Sequence, residues 1–255
     1  MGFAFVGTLS ALGVVWCLVA LRLPALSFFF PAYDEEDNVQ AMVEHALAVL
    51  PRFADRFEVV VVDDGSRDRT GAIADDLALR HASVRVIHHN TNRGYGGAIR
   101  TGLASATMPY VFYTDGDRQF DLNDLALMLP ALEGVDVVVG YRLVRRDPLR
   151  RLILAWVYNR LIRVLFVGGW RDVDCAYKLF RREVFDRVPL DRVHSNGAFF
   201  SPELLITLRS AGIQMREVGV PHHPRELGQP KGAPPKVILR AIRDLLRLRF
   251  RIWGV

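Results

Sequence analysis

Cysteine is close to absent: Cys17 and Cys175 are the two among 255 residues. They stand far apart, one of them inside an apolar run, which excludes a disulfide framework and a cysteine-based zinc pattern. His222 and His223 adjoin, but no third ligand accompanies them in sequence, so zinc is not expected there. Lysine is scarce, occurring at 178, 231 and 236. The formal charge of +5 and the pI of about 9.5 therefore rest on arginine. Arginine offers phosphate a planar bidentate fork, so the balance points to an anionic partner: nucleic acid, anionic lipid or a phosphorylated substrate. No internal repeat or low-complexity tract occurs. With 51% hydrophobic residues the chain can bury a full core, and its length suits one domain.

One long uncharged run is present, from Phe3 to Leu21. It is close to the ~20 apolar residues that span a bilayer. A cleaved signal peptide fits less well, because no basic region precedes the run and no small-residue cleavage site follows it. The expectation is a transmembrane anchor over 1–23, an α/β domain over 24–235 and a basic amphipathic helix over 236–255. A hydrophobic helix packed on the domain is the alternative for the first segment. Arg22 and the basic domain behind it place that domain on the cytoplasmic face.

From Leu26 onward strand and helix patterns alternate, as in a βαβ series with right-handed crossovers. Strands are expected near 26–31, 58–63, 84–88, 110–114 and 135–139, and helices near 36–50, 69–80, 95–106 and 122–132. After Gly140 the alternation breaks down. A basic stretch leads into the apolar run Leu152 to Val167, followed by a short strand at 177–180, a helix at 202–211 and a strand at 214–220.

Three strands end in carboxylates: Pro31-Ala32-Tyr33-Asp34-Glu35, Asp63-Asp64-Gly65-Ser66, and Asp115-Gly116-Asp117-Arg118-Gln119. A parallel sheet delivers all three to one edge, and ligands of open α/β sheets bind beyond the carboxyl ends of the strands. Carboxylates gathered there repel one another unless a divalent cation or a donor-rich ligand compensates them. Asp115 and Asp117 offer oxygen ligands to Mg²⁺ or Mn²⁺; a turn capping the next helix is the structural alternative. Ser66 and Asp68 read as caps for the helix near Thr70. Gly94, Gly96, Gly97 and Gly102 superficially match a dinucleotide fingerprint, but they follow the third strand with polar residues between, so they read as a tight turn permitting close packing.

Taken in order and spacing, these blocks resemble the family 2 glycosyltransferases of GT-A fold and, within them, the polyprenyl-phosphate (dolichyl-phosphate) sugar synthases. The resemblance runs from about Leu26 to about Lys236. Beyond the acidic strand ends and the Asp63–Thr70 block, it rests on Asn92-Arg93-Gly94-Tyr95-Gly96-Gly97-Ala98, Asp174-Cys175-Ala176-Tyr177-Lys178-Leu179-Phe180 and His223-Pro224-Arg225-Glu226-Leu227-Gly228. It implies a Rossmann-like, mostly parallel central sheet flanked by helices, and a hexosyltransferase using a nucleotide-sugar donor with Mg²⁺ or Mn²⁺. In that family Asp117 would be the direct metal ligand, Asp115 would lie near ribose and metal, and Gln119 near the phosphates. Asp63 and Asp64 would meet base and ribose, in a pocket shared with Pro31, Tyr33 and Glu35. Asp174 and Glu203 occupy family-like positions near the acceptor, and Glu203 also suits the first turn of a helix. Two departures stand out: Asp34 replaces the usual Asn, and Gln229-Pro230-Lys231-Gly232 follows Gly228 where many relatives carry Ser.

The second half bears on the acceptor. Lys236, Arg240, Arg243, Asp244, Arg247 and Arg251 recur at helical spacing with Ile238, Leu245, Leu248 and Ile252 elsewhere, the pattern of a helix lying in a membrane interface; Arg145 to Val167 is a second candidate. A helix packed on the core with a solvated face gives the same pattern. A lipid phosphate is already largely dianionic and needs positioning rather than a base. Arg225, Lys231, Arg142 and Arg145 are the candidates for holding it. The expected partners are thus a nucleotide-sugar donor (GDP-mannose or UDP-glucose), a polyprenyl phosphate and a membrane, not nucleic acid. The alternatives are a processive polysaccharide synthase, whose Gln-x-x-Arg-Trp motif is missing, and a non-enzymatic binder of nucleic acid or anionic lipid.

Overall fold

The computed structural model describes residues 21–143, 149–166, 169–225, 227 and 235–253. Nearly all of the expected anchor, together with Arg145 and Lys231, lies outside the described residues. Seven strands form one sheet: β1 (Leu23–Ala32), β2 (Ala54–Asp63), β3 (Val84–His88), β4 (Tyr110–Tyr113), β5 (Val137–Arg142), β6 (Lys178–Arg181) and β7 (Met215–Val220). Their order is β3-β2-β1-β4-β6-β5-β7. All pairings are parallel except those of β6, which runs antiparallel to both β4 and β5. The helices are α1 (Val39–Val49), α2 (Thr70–Arg80), α3 (Tyr95–Ser105), the short α4 (Leu125–Met128), α5 (Leu149–Leu165), the short α6 (Val184–Arg187), α7 (Phe200–Ser210) and α8 (Pro235–Trp253).

β1 is central and almost continuously buried, as a strand covered on both faces must be. Its three phenylalanines organise both layers: Phe28 stacks on Phe112 (5.4 Å between centroids) and Phe29 on Tyr113 (5.2 Å). Gly102 lets α3 approach this strand, because a Cβ there would lie 2.1 Å from the Phe29 ring. The helix expected over 122–132 is instead two 3₁₀ turns around the four-residue α4. Pro130 supplies no backbone N–H and ends the α-helical pattern.

At the amino edge of the sheet, away from the acidic loops, Glu58 ties three strands and a turn together. One carboxylate oxygen accepts from the Ser27 hydroxyl (2.5 Å) and from the backbone N–H (2.9 Å) and hydroxyl (2.8 Å) of Thr107; the other accepts from Arg85 Nε (2.8 Å). Burial alone would raise its pKa, but the hydrogen bonds of Arg85, Ser27 and Thr107 outweigh that and lower it. A depressed carboxyl pKa contributes stability above its unfolded value and loses it as pH falls through the folded one. Glu58→Ala is expected to reduce unfolding free energy by about 3 kcal/mol at pH 7, since it strands several buried donors. Urea melts should show the gap between wild type and variant shrinking below about pH 4; a gap independent of pH contradicts this account.

Candidate active site

β1 and β4 are hydrogen-bonded neighbours, and the strand order runs outward from them in both directions. This is the topological switch point, where open α/β sheets leave a crevice. Glu35 follows β1 and Asp115 and Asp117 follow β4, so three carboxylates meet at one edge. Arg225 is drawn in between them. Its Nη2 lies 2.8 and 2.6 Å from the two oxygens of Glu35, its Nη1 3.5 Å from Oδ2 of Asp117, and its Nε donates to the Leu227 carbonyl (2.7 Å). Because Arg225 and Glu35 are only 14% and 9% exposed, the pair is little screened by water.

One arginine does not neutralise the edge. Burial, and then the charge of Asp117, push the Asp115 carboxyl up to about 7, against the Tyr95 hydroxyl that hydrogen-bonds it and the positive charges of Lys178 and Arg142. Burial likewise raises Asp117; the Gln119 backbone N–H and Arg225 oppose this, and Glu35 adds to it. Two hard oxygen donors that disfavour their own ionisation suit Mg²⁺ or Mn²⁺, with coordination positions left for ligand oxygens. Among the described residues no group of three or more His, Cys, Asp or Glu side chains forms a ready cage, so these donors would hold a cation together with its ligand.

The loops bearing these groups are held in uncommon conformations. Asp34 and Arg118 have φ of 48° and 60°, a region that Asp and Asn visit at least cost. Asp34 is therefore suited to its turn. Its carboxylate accepts the Arg67 N–H (2.7 Å) and its own N–H donates to Ser66 Oγ (3.0 Å), while the Glu35 N–H donates to Thr70 Oγ1 (2.8 Å) and the Glu36 N–H to Asp68 (3.1 Å). Ser66 thus reaches across to the first loop, and Asp68 accepts the Thr70 N–H (2.9 Å) in the turn before α2, whose N-cap position is Arg69 with no side-chain cap bond, so neither residue caps the helix as expected.

Several predicted residues face inward. Asp64 accepts from His89 Nδ1 (2.6 Å) and from the N–H groups of Arg93 (2.8 Å) and Gly94 (2.9 Å). Its carboxylate is turned into the protein, where it holds the turn that opens α3. Asp63 lies 2.8 Å from His88 Nδ1 and accepts the Ser66 N–H (3.0 Å). Gln119 pairs with His223, Nε2 to carbonyl (3.1 Å) and carbonyl to N–H (2.8 Å), which ties the β4 loop to the Arg225 loop. Arg142 forks onto Asp172 at 2.5 and 2.7 Å. Asp174 lies close enough for its charge to act on Tyr95, Arg142 and Tyr158. Pro31 and Tyr33 stand at the end of β1 beside Glu35.

Glu203 is 1% exposed and accepts the N–H groups of His194 (3.0 Å) and Ser195 (2.8 Å), with Arg251 of α8 at 3.2 Å. The loop it holds accepts the Gly96 N–H at the Asn196 carbonyl (2.9 Å). Gly94 opens α3 there with φ of 82°, and a Cβ on it would strike that carbonyl at 2.7 Å. Next to it Tyr95 bonds Asp115. Glu203 thus positions the loop under the acidic edge, which accords with the structural reading of this residue. Tyr95, Lys178, His89 and Asp172 were missed from the sequence as site groups. All but His89 and Asp172 sit inside quoted motifs, and none of the four carries a period or spacing that shows where its side chain points.

Residues 27–188 match glycosyl transferase family 2, and the chain belongs to that family. It is 32% identical over 211 residues to the polyprenol monophosphomannose synthase of Mycolicibacterium smegmatis, covering 79% of this chain and 78% of that one. It is 31% identical over 247 residues to the human dolichyl-phosphate beta-glucosyltransferase, covering 89% and 75%. Its fold is similar to that of glucosyl-3-phosphoglycerate synthase from Mycobacterium tuberculosis, solved with Mn²⁺, UDP and glucosyl-3-phosphoglycerate. There the TM-score is 0.63 at 18% identity, covering 91% of this chain and 81% of that one. The fold is thus GT-A and the protein a glycosyltransferase.

The strength of the acidic edge can be measured on the ligand-free protein. Carboxyl ¹³C NMR is expected to show one aspartate titrating near pH 7, assigned by its loss in Asp115→Asn. Tyr95→Phe should move that midpoint upward, because the hydroxyl favours the charged form. A midpoint near 4 for Asp115 contradicts the geometry.

Proposed function

We propose that this chain transfers a sugar from a nucleoside diphosphate donor, GDP-mannose or UDP-glucose, to a polyprenyl phosphate at the cytoplasmic membrane surface, by a single displacement with inversion. The observation that carries it is the cluster of Asp115, Asp117 and Glu35 around Arg225 at the switch point. The names of the mycobacterial and human relatives supply the acceptor class, and the Mn²⁺ and UDP of the tuberculosis enzyme support a cation at the acidic edge.

Asp115 and Asp117 would hold Mg²⁺ or Mn²⁺, which when bound offsets charge on the departing nucleoside diphosphate. The chain's own groups orient the partners. Arg225, released from Glu35 or shared with it, presents its fork to phosphate. Arg142 is fixed by Asp172 at the end of β5, with Asp174 nearby, and with Arg145 and Lys231 supplies positive charge toward the acceptor. A phosphate dianion attacks the anomeric carbon without losing a proton, so Asp174 and Glu203 need not act as bases. The membrane reading has its own support. α5 exposes Trp156 (68%) and Val164 (69%), and α8 exposes Ile242, Leu246 and Phe250. Among the described residues no helix is long and apolar enough to cross a bilayer, so these faces would lie in the interface.

Incubation of the full chain with each radiolabelled donor and polyprenyl phosphate should move label into organic-extractable lipid. Asp117→Ala should lower the rate by on the order of 10²-fold or more. Undiminished transfer by that variant would overturn the role of the acidic edge, and a polymeric product would overturn the acceptor.

A further inference from the structure

α8 is three-sided, not two-sided. Leu245 and Leu248 are buried against the domain, and Ile242, Leu246 and Phe250 form one exposed row. Arg243, Arg247 and Arg251 form another, each following a member of the apolar row by one residue. At 100° per residue the two rows adjoin along the whole exposed side. Across from the arginines lies the loop His194–Gly197, and between loop and helix runs an open groove of about 350 Å³ lined by His194, Ser195, Asn196, Gly197, Arg243, Asp244, Arg247 and Arg251. Three guanidiniums face it against the carboxylate of Asp244, with Glu203 behind Arg251. The hold of Asp244 is loose, at 3.3 Å from Arg243 and 3.9 Å from Arg247, and those two side chains are 56% and 65% exposed.

We infer that this groove binds the phosphate-bearing headgroup of an anionic bilayer phospholipid. The inference rests on the membrane-surface reading above and adds a discrete site to it. Guanidinium forks match phosphate oxygens. The adjoining row of Ile242, Leu246 and Phe250 gives the acyl chains of the same molecule an apolar surface to follow, which a free phosphate would leave unused. The groove is also separate from the acidic edge: the loop that forms its wall accepts Gly96 and Arg100 on its other side. A headgroup there would orient the domain on the bilayer without occupying the crevice between β1 and β4.

The test uses the full chain in neutral detergent micelles, titrated calorimetrically with short-chain phosphatidylglycerol and, separately, short-chain phosphatidylcholine. Phosphatidylglycerol should saturate a single site that phosphatidylcholine does not fill. The Arg243→Gln/Arg247→Gln double variant should weaken it by on the order of tenfold, while Arg80→Gln/Arg187→Gln, with the same loss of charge elsewhere, should change it less than about twofold. Retained nucleotide binding checks that the variants fold. Equal binding of both lipids, or equal weakening in both double variants, would overturn the site and leave only diffuse charge. Competition by inorganic phosphate at equal affinity would overturn the lipid assignment, and competition by polyprenyl phosphate for the same site would hand the groove to the acceptor. The lipid titration needs no turnover, so the Asp117→Ala chain should still bind phosphatidylglycerol; undiminished transfer by that variant with a retained lipid site overturns the catalytic proposal alone, and normal transfer by the wild type without a saturable lipid site overturns this one alone.

Discussion

Repulsion among carboxylates at the ends of β1 and β4 is the constraint around which the rest of the structure is arranged. Two adjacent parallel strands cannot both end in acidic loops without bringing the charges together, and the order β2-β1-β4 makes these two strands neighbours. The protein answers with one buried guanidinium, Arg225, contributed from a loop more than a hundred residues beyond Asp117. Arg225 answers Glu35 and Asp117, and Lys178 and Arg142 act on Asp115, yet burial and the charge of Asp117 still leave Asp115 poised to take up a proton near neutrality. An edge of this kind is costly to the folded chain alone and would be relieved by the cation and diphosphate proposed to bind it, the pattern expected where pKa perturbation serves a site.

Around it lies a layer of polar groups whose work is positional. Asp64, itself bonded to His89, holds the backbone of Arg93 and Gly94, Glu203 holds that of His194 and Ser195, and the two loops meet where Gly96 donates to Asn196. Through Tyr95 this scaffold reaches Asp115 itself. The same Glu203 takes a salt bridge from α8, so that helix and the acidic edge share one mechanical support. Burial of each of these carboxylates is tolerable because its oxygens are matched by backbone donors.

Most of the strands were legible in advance because central parallel strands read as unbroken apolar runs, as at Leu26 to Phe30 and Val59 to Val62. The antiparallel insertion of β6 could not be read, because a four-residue strand carries no mark of direction. The helix expected over 122–132 followed the apolar pattern alone, and Pro130 breaks it. Within the site, motif order named the loops that meet at the acidic edge, but it carries no information on side-chain direction. Asp63 and Asp64 look equivalent in sequence, yet Asp64 alone takes the amides of the glycine run. The polarity of α8 was legible from arginine spacing, while its second exposed face was hidden because Ile242, Leu246 and Phe250 differ in no obvious way from the buried Leu245 and Leu248.

The central claim is that the acidic edge binds a nucleoside diphosphate together with a divalent cation. Calorimetric titration of the full chain with GDP and with UDP, each with and without Mn²⁺ and repeated in two buffers of different ionisation heat, tests it most directly. The account predicts binding of one nucleotide that requires Mn²⁺ and releases protons near pH 7, as Asp115 gives up its own. Nucleotide binding that is indifferent to Mn²⁺ and releases no proton would contradict it.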